Sequence, residues 1–191
     1  MLLAACWLLI TWLLGSFPTG VVVGVLYADV DITAQGSGNI GATNMNRVLG
    51  RGYGAATLFL DLLKGFLPVL LAPLVLPQAG LLYAGLVGLA AFAGHCWSPL
   101  LDFRGGKGVA TSAGVMLALA PWATFLAAVI WILVVLATRK SSLGALVAVA
   151  LLPVLTALFA PAATWVAVVL GLGVVLRHAD NLRRLRAGTE G

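Results

Sequence analysis

The chain begins with an apolar run, residues 2–28, that contains no charged side chain. A run of this length can cross the hydrocarbon core of a bilayer, which takes about 20 residues of helix. Similar runs recur along all 191 residues, and only 9% of the side chains are charged. A soluble domain needs far more charge to cover its surface. The sequence therefore predicts an all-α polytopic membrane protein, with residues 1–191 forming a single membrane-embedded domain.

Seven transmembrane helices are predicted. The first is residues 2–28, which we expect to be kinked at Pro18 because proline removes a helix hydrogen bond. Its N-terminus carries no Lys or Arg, so we expect a first span and no cleaved signal peptide. The remaining predicted spans, several of them short, are residues 53–76, 79–97, 109–120, 121–138, 141–160 and 162–176.

The stretch 109–138 decides the topology. One helix there would separate the basic residues onto two sides, whereas a hairpin at Ala120-Pro121 gathers them on one. Ten of the eleven Lys and Arg residues then face the cytoplasm, and Lys64 is the exception. The positive-inside rule favours the hairpin, and so predicts an outside N-terminus and a cytoplasmic C-terminus. Four stretches meet on the cytoplasmic side: 37–51, 104–108, 139–142 and 177–186.

Residues 36–52, the first loop, contain five glycines, three asparagines and two arginines. Glycines let successive backbone N–H groups turn toward one anion, while Ser, Thr and Asn add neutral donors. Arg47 would supply a guanidinium fork for phosphate. We interpret the first loop as a phosphate-binding loop; the alternative is an ordinary hydrophilic turn between two spans.

A second stretch of the same kind, residues 102–108, is the second loop. It reads Asp-Phe-Arg-Gly-Gly-Lys-Gly, and Lys107 would place a point charge near phosphate oxygens. The spacing differs from a Walker motif, which argues against a nucleotide triphosphatase. Two such loops, each with its own cation, predict two phosphorylated substrates. The neutral donors expected to orient them are Ser37, Asn39, Thr43, Asn44, Ser142 and Asn181.

Asp61 and Lys64 are the charged residues inside the predicted spans, and the two histidines lie near the ends of spans. Asp61 and Lys64, at i and i+3, are predicted to neutralise each other as a structural ion pair. His95, near the end of a span, is interpreted as a hydrogen-bonded helix-end residue. His178 is a candidate general base, although a basic tail can equally hold anionic lipid head groups.

The charge pattern also excludes classes of partner. The net charge of +5 is confined to the loop stretches, so we expect a lipid bilayer partner and no nucleic acid. The carboxylates outside the spans are scattered, which predicts no metal site, and nothing in the chain calls for a cofactor. The oligomeric state stays open, with a monomer as one option.

Three motifs together resemble the bacterial acyl-phosphate:glycerol-3-phosphate acyltransferase family. They are the run from Ser37 to Asn44, the run from Gly105 to Thr111, and the tail from His178 to Glu190. The similarity covers essentially the whole chain and includes Gly15-Ser16-Phe17-Pro18, Asp61-x-x-Lys64-Gly65 and His95.

The resemblance implies an inner-membrane enzyme with seven spans. It would transfer a fatty acyl group from acyl phosphate to the 1-hydroxyl of glycerol 3-phosphate, giving lysophosphatidic acid and inorganic phosphate. We expect direct attack without a covalent acyl-enzyme, with either His178 or the leaving phosphate as base. The predicted catalytic residues are Ser37, Arg47, Lys107, His178 and Asn181. The predicted substrate-binding residues are Gly38, Asn39, Gly41, Thr43, Asn44, Gly105, Gly106, Gly108, Thr111, Ser142 and Arg184.

Two other classes of protein share parts of this pattern. A transporter or flippase for an anionic lipid or phosphorylated metabolite would use polar groups near the membrane midplane. Only Asp61 and Lys64 fit that position. A scaffold subunit would not need two glycine-rich loops that each carry a cation.

Overall fold

A computed structural model describes residues 1–190 as an all-helical fold, with no β-strand in that range. This confirms the predicted all-α class. The α-helices are α1 (Leu2–Ser16), α2 (Thr19–Ala28), α3 (Ala42–Leu49), α4 (Arg51–Val75), α5 (Gly80–Cys96), α6 (Val109–Leu119), α7 (Pro121–Thr138), α8 (Ser141–Phe159), α9 (Thr164–Arg177) and α10 (Ala179–Arg186).

Four helical segments are long and apolar enough to cross a membrane: Arg51–Val75, Pro77–Leu101, Pro121–Thr138 and Ser141–Phe159. The number rises to six if each of two bent pairs is one span, α1 with α2 and Pro161–Arg177 with α10. Helix α6 is apolar but only 11 residues long. Large apolar side chains, among them Leu136 and Leu172, lie exposed on these helices, as expected for lipid-facing surfaces. The seven-span count and its orientation remain predictions.

The first span is broken where the sequence predicted a kink. Helix α1 ends at Ser16, α2 begins at Thr19, and the two axes differ by 44°. The break exposes two carbonyls, and other segments satisfy them. The Ser98 hydroxyl donates to the Ser16 carbonyl at 2.6 Å, and the Lys64 ammonium donates to the Phe17 carbonyl at 2.9 Å. Irregular backbone in a membrane protein requires such partners, because lipid offers none.

The described chain divides into two compact units. The first, Met1–Val115, packs α1 against α5 and α4, and α3 against α4. Small residues permit the close approach of α1 and α5. A Cβ at Gly15 would overlap the Ala91 carbonyl, and a Cβ at Gly94 would overlap the Trp12 carbonyl. Backbones in membrane bundles commonly approach through such residues.

The second unit starts at Met116 and packs α7 against α8, and α8 against α9. The helix is interrupted at Ala120, between α6 and α7, which is the position where the sequence predicted a hairpin. Gly144 of α8 lies against Trp131 and Val135 of α7. The Trp131 indole donates to the Ser141 carbonyl at 3.3 Å, which fixes the start of α8 beside α7.

Candidate functional site

The first loop is shaped by two glycines and one buried asparagine. Gly36 and Gly38 have positive φ angles of 60° and 69°, which side chains with a Cβ rarely adopt. The Asn44 side chain crosses back from α3 to the turn. Its Oδ1 accepts from the Ser37 backbone nitrogen at 2.9 Å, and its Nδ2 donates to the carbonyls of Gln35 at 3.0 Å and Ile32 at 3.3 Å. Asn44 therefore holds the loop in place.

The N-terminal end of α3 is defined by Asn39 and Gly41. The Asn39 Oδ1 accepts from the Gly41 backbone nitrogen at 2.9 Å, which orients the chain as it enters the helix. Ser37, Thr43 and Arg47 are exposed around this turn. The loop thus presents a hydroxyl pair and a guanidinium on its surface, the chemistry expected of a phosphate site.

A small apolar core anchors the first loop to the spans. Val23, Ile32, Ile40 and Met45 are buried together, and Leu101, just before the second loop, packs against them. Gly20 of α2 allows the Ile40 carbonyl to approach the helix backbone, since a Cβ there would overlap that oxygen. Both loops are therefore supported at the same end of the first unit.

The second loop rests on the end of α5. The Gly106 backbone nitrogen donates to the His95 carbonyl at 3.0 Å, and a Cβ on Gly106 would overlap the His95 ring. Gly108 has a φ of 78°, and a Cβ there would meet the Phe92 ring. Glycine is thus required for close packing at both positions. Lys107, between them, is half-buried.

Thr111, predicted to bind substrate, lies in the contact between two helices. It is fully buried in α6, and Gly65 of α4 packs against its backbone and methyl group. Within residues 1–190 the Thr111 hydroxyl has no hydrogen-bond partner. The structure thus places Thr111 on the face of α6 that packs against α4.

A buried polar cluster, the Asp61 cluster, joins α2, α4 and α5 in the first unit. It comprises Thr19, Asp61, Lys64 and His95. The predicted ion pair is confirmed, with Lys64 Nζ 2.9 Å from Asp61 Oδ1. The Thr19 hydroxyl donates to the same oxygen, and His95 Nδ1 lies 3.6 Å from it.

The interpretation of His95 as a helix-end residue is confirmed, and the structure adds a contact of its ring. The residue does lie in the last turn of α5, and its backbone carbonyl is hydrogen-bonded, but Nδ1 has no hydrogen-bond partner among the described residues. The ring is instead buried beside the Asp61 carboxylate. Spacing along one helix could not reveal this contact, because the two residues lie on different helices.

The second unit assembles three predicted residues around a carboxylate that was not predicted. Glu190 accepts hydrogen bonds from Ser142 at 2.5 Å, Asn181 at 2.5 Å and Arg184 at 2.8 Å. Burial raises the pKa of Glu190, but the hydrogen bonds from Ser142, Asn181 and Arg184 and the Arg184 charge outweigh it and lower the pKa to about 2. Glu190 is therefore ionised at neutral pH and ties the tail to the start of α8.

His178 is buried at the junction of α9 and α10. Its Nδ1 lies 2.8 Å from the Val174 carbonyl oxygen. Because a carbonyl only accepts, Nδ1 carries the proton, and Nε2 holds the lone pair in the neutral ring. This tautomer is the one that a base acting through Nε2 requires.

Comparison with known proteins identifies relatives over nearly the full length. A family profile described as glycerol-3-phosphate acyltransferase matches residues 5–188. The glycerol-3-phosphate acyltransferase of Trichlorobacter lovleyi is 47% identical over 96% of this chain and 94% of that protein. The glycerol-3-phosphate acyltransferase of Geobacter metallireducens is also 47% identical, over 94% of this chain and 92% of that protein.

The solved structures that this fold resembles come from the same family as the sequence relatives. The crystal structure of PlsY (YgiH), an integral membrane glycerol 3-phosphate acyltransferase, in its glycerol 3-phosphate form has a TM-score of 0.91 and 35% identity to this chain. The lysophosphatidic acid form has a TM-score of 0.90. Each comparison covers 98% of this chain and 94% of the solved one.

Proposed function

The chain belongs to the glycerol-3-phosphate acyltransferase family, and we propose that it transfers a fatty acyl group from acyl phosphate to the 1-hydroxyl of sn-glycerol 3-phosphate. The products are lysophosphatidic acid and inorganic phosphate, in the first step of bacterial phospholipid synthesis. The observation that carries the proposal is the pair of glycine-rich loops in the first unit, each with its own cation. Two phosphate sites match two phosphorylated substrates.

The two loops differ in how each would bind phosphate. Arg47, exposed on α3, can form a bidentate contact with two phosphate oxygens, and Ser37 and Thr43 add hydroxyl donors. Lys107 acts as a point charge between Gly106 and Gly108, whose close packing against His95 and Phe92 fixes the backbone on both sides of the lysine. In the second unit, Glu190 holds Asn181, Ser142 and Arg184 in one polar cluster, and their role as substrate-binding or catalytic residues is part of the proposal.

The reaction needs little covalent chemistry from the protein. Acyl phosphate is an activated mixed anhydride, so the glycerol hydroxyl oxygen attacks the acyl carbonyl carbon directly. The new C–O bond forms, the bond from that carbon to the phosphate oxygen breaks, and inorganic phosphate leaves. The hydroxyl proton passes to the leaving phosphate or to His178 Nε2. Catalysis comes from positioning and from cations that stabilise the developing negative charge.

The membrane setting fits the substrates. The long acyl chain rests among apolar helices, while both phosphates stay at the membrane surface. We propose that the loops and the basic tail face the cytoplasm of a bacterial inner membrane, where glycerol 3-phosphate is dissolved. Seven spans with the N-terminus outside produce that orientation.

Purified protein in detergent tests the proposal with radiolabelled glycerol 3-phosphate and either palmitoyl phosphate or palmitoyl coenzyme A. Labelled lysophosphatidate should appear with palmitoyl phosphate only, and Lys107→Ala should abolish it. Lys140→Ala, the same change outside the predicted site, should retain activity. Product from the coenzyme A thioester alone would overturn the donor assignment. Absence of product with either donor would favour the alternative that the protein is a transporter or flippase for an anionic lipid or phosphorylated metabolite.

A further inference from the structure

We propose that Asp61 is a positioning residue for the second loop, because it holds the His95 side chain on which Gly106 rests. The proposal builds on the proposed function, since the second loop is taken to bind a substrate phosphate. Asp61 itself lies inside α4 and would not touch substrate. Its effect on the reaction would pass through His95.

Three side chains contact one carboxylate oxygen of Asp61. Asp61 is 1% exposed, and its Oδ1 meets the Thr19 hydroxyl, the Lys64 ammonium and the His95 ring. These partners come from α2, α4 and α5, so a single oxygen fixes three helices relative to one another. Lys64 is in turn held by the Phe17 carbonyl at the break between α1 and α2.

His95 in turn contacts the backbone of the second loop. The Gly106 backbone nitrogen donates to the His95 carbonyl, and a Cβ on Gly106 would overlap His95 Nε2. Gly105 packs equally closely against the His95 carbonyl. A tilt or shift of the imidazole would therefore move the loop backbone that flanks Lys107. A 1 Å displacement of a binding group is large on the scale that catalysis tolerates.

The Asp61 cluster is built from polar and charged side chains, although apolar ones could fill the same space. A buried charge is a costly way to fill space, and apolar side chains of similar volume often give equal or greater stability. Stability alone therefore does not account for four polar side chains buried at this point. Thr19 and Lys64 fix the position of the Asp61 carboxylate, and the imidazole lies 3.6 Å from its Oδ1, so the electrostatic contact to a fixed oxygen helps to place the ring.

The test is a double-mutant cycle between Asp61→Asn and Gly106→Ala, read as KM for each phosphorylated substrate and as kcat. Each single change should raise the KM of the same substrate, by about 10- to 100-fold, with the other KM within about twofold of wild type. Because both changes disturb one contact, the double variant should lose less than the product of the two single losses. Asp29→Asn, the same change at an exposed residue that ends α2, should behave as wild type.

Independent effects of the two substitutions, or equal rises in both KM values, would overturn the proposal. If Asp61→Asn does not yield monodisperse protein, Thr19→Val enters the same cycle, because it removes one hydrogen bond to the carboxylate and keeps the charge pair. The same criterion then decides.

Direct binding separates this proposal from the proposed function. Binding of glycerol 3-phosphate and of inorganic phosphate is measured by calorimetry on the same variants. Wild-type protein that binds phosphate without making lysophosphatidate would refute the proposed function, and weaker, coupled binding in the variants would still support the role of Asp61. Wild-type protein that binds neither compound would refute both.

Discussion

The Asn44 side-chain oxygen accepts a hydrogen bond from the Ser37 backbone nitrogen at 2.9 Å and so joins α3 to the turn before it. Replacing Asn44 by Ala leaves the Ser37 nitrogen and two carbonyls without this partner. We expect kcat/KM to fall by about 100-fold, because Ser37 no longer has a fixed position. The matched control is Asn46→Ala, an exposed asparagine on the same helix, which should stay within a few-fold of wild type. Equal losses in both variants would contradict the role of Asn44.

The pKa of Glu190 makes stability depend on pH. Its value of about 2 in the folded protein lies below the ordinary value of 4.5. The folded state therefore binds this proton more weakly than the unfolded state, and the stabilisation is complete above about pH 4.5 and lost as pH falls toward 2. Glu190→Gln should lower Tm at pH 7, and the difference from wild type should shrink as the pH is lowered.

Thermal unfolding in detergent between pH 3 and 7 measures this difference. Asp180→Asn is the control, because the Asp180–Arg183 pair is exposed and surface pairs contribute little. A Tm difference for Glu190→Gln that does not change with pH would show that Glu190 is not the titrating group.

The approach of α1 and α5 depends on Gly94. A Cβ there would overlap the Trp12 carbonyl, so Gly94→Ala should destabilise the protein by about 1–3 kcal/mol, as overpacking does. Gly52→Ala is the opposite case, since no described heavy atom lies within 4 Å of the added Cβ, and a helical alanine gains about 0.5–1 kcal/mol over glycine. Thermal unfolding should show Tm changes of opposite sign. A neutral Gly94→Ala would mean that the two helices separate readily.

Topology can be tested by cysteine labelling. In a background without Cys6 and Cys96, Gln78→Cys lies in the turn between α4 and α5, and Arg186→Cys lies at the end of α10. A membrane-impermeant maleimide should label Gln78→Cys in intact cells, and Arg186→Cys only after permeabilisation. Labelling of both in intact cells would rule out a cytoplasmic tail.

Features that depend on neighbouring residues could be predicted from the sequence. Pro18 and its flanking residues predicted the break in the first span, and Pro121 predicted the break between α6 and α7. The i, i+3 spacing of Asp61 and Lys64 predicted their ion pair, because helix geometry alone brings such residues together. These three predictions are confirmed.

Contacts between distant segments could not be predicted in this way. Glu190 counted as one of several scattered carboxylates, yet it binds side chains from α8 and α10. His95 approaches Asp61 only because α4 and α5 pack together. No local period encodes either contact, although the Gly188-Thr189-Glu190 motif marked the tail as part of the family pattern. The assignment of the catalytic residues remains a prediction.

The broken first span has a consequence for biosynthesis. The carbonyls of Ser16 and Phe17 accept from Ser98 and Lys64, which the ribosome adds much later. When α1 and α2 first enter the membrane, neither side chain exists yet, so the Ser16 carbonyl lacks the Ser98 donor and the Phe17 carbonyl keeps only its bond from the Thr19 backbone nitrogen at 3.0 Å. Until α4 and the end of α5 have been synthesised, the segment therefore has to stay as one straight helix, or its carbonyls at the break have to be hydrated or covered by the insertion machinery. The first span of this chain therefore acquires its final shape only after α4 and α5 have followed it into the bilayer.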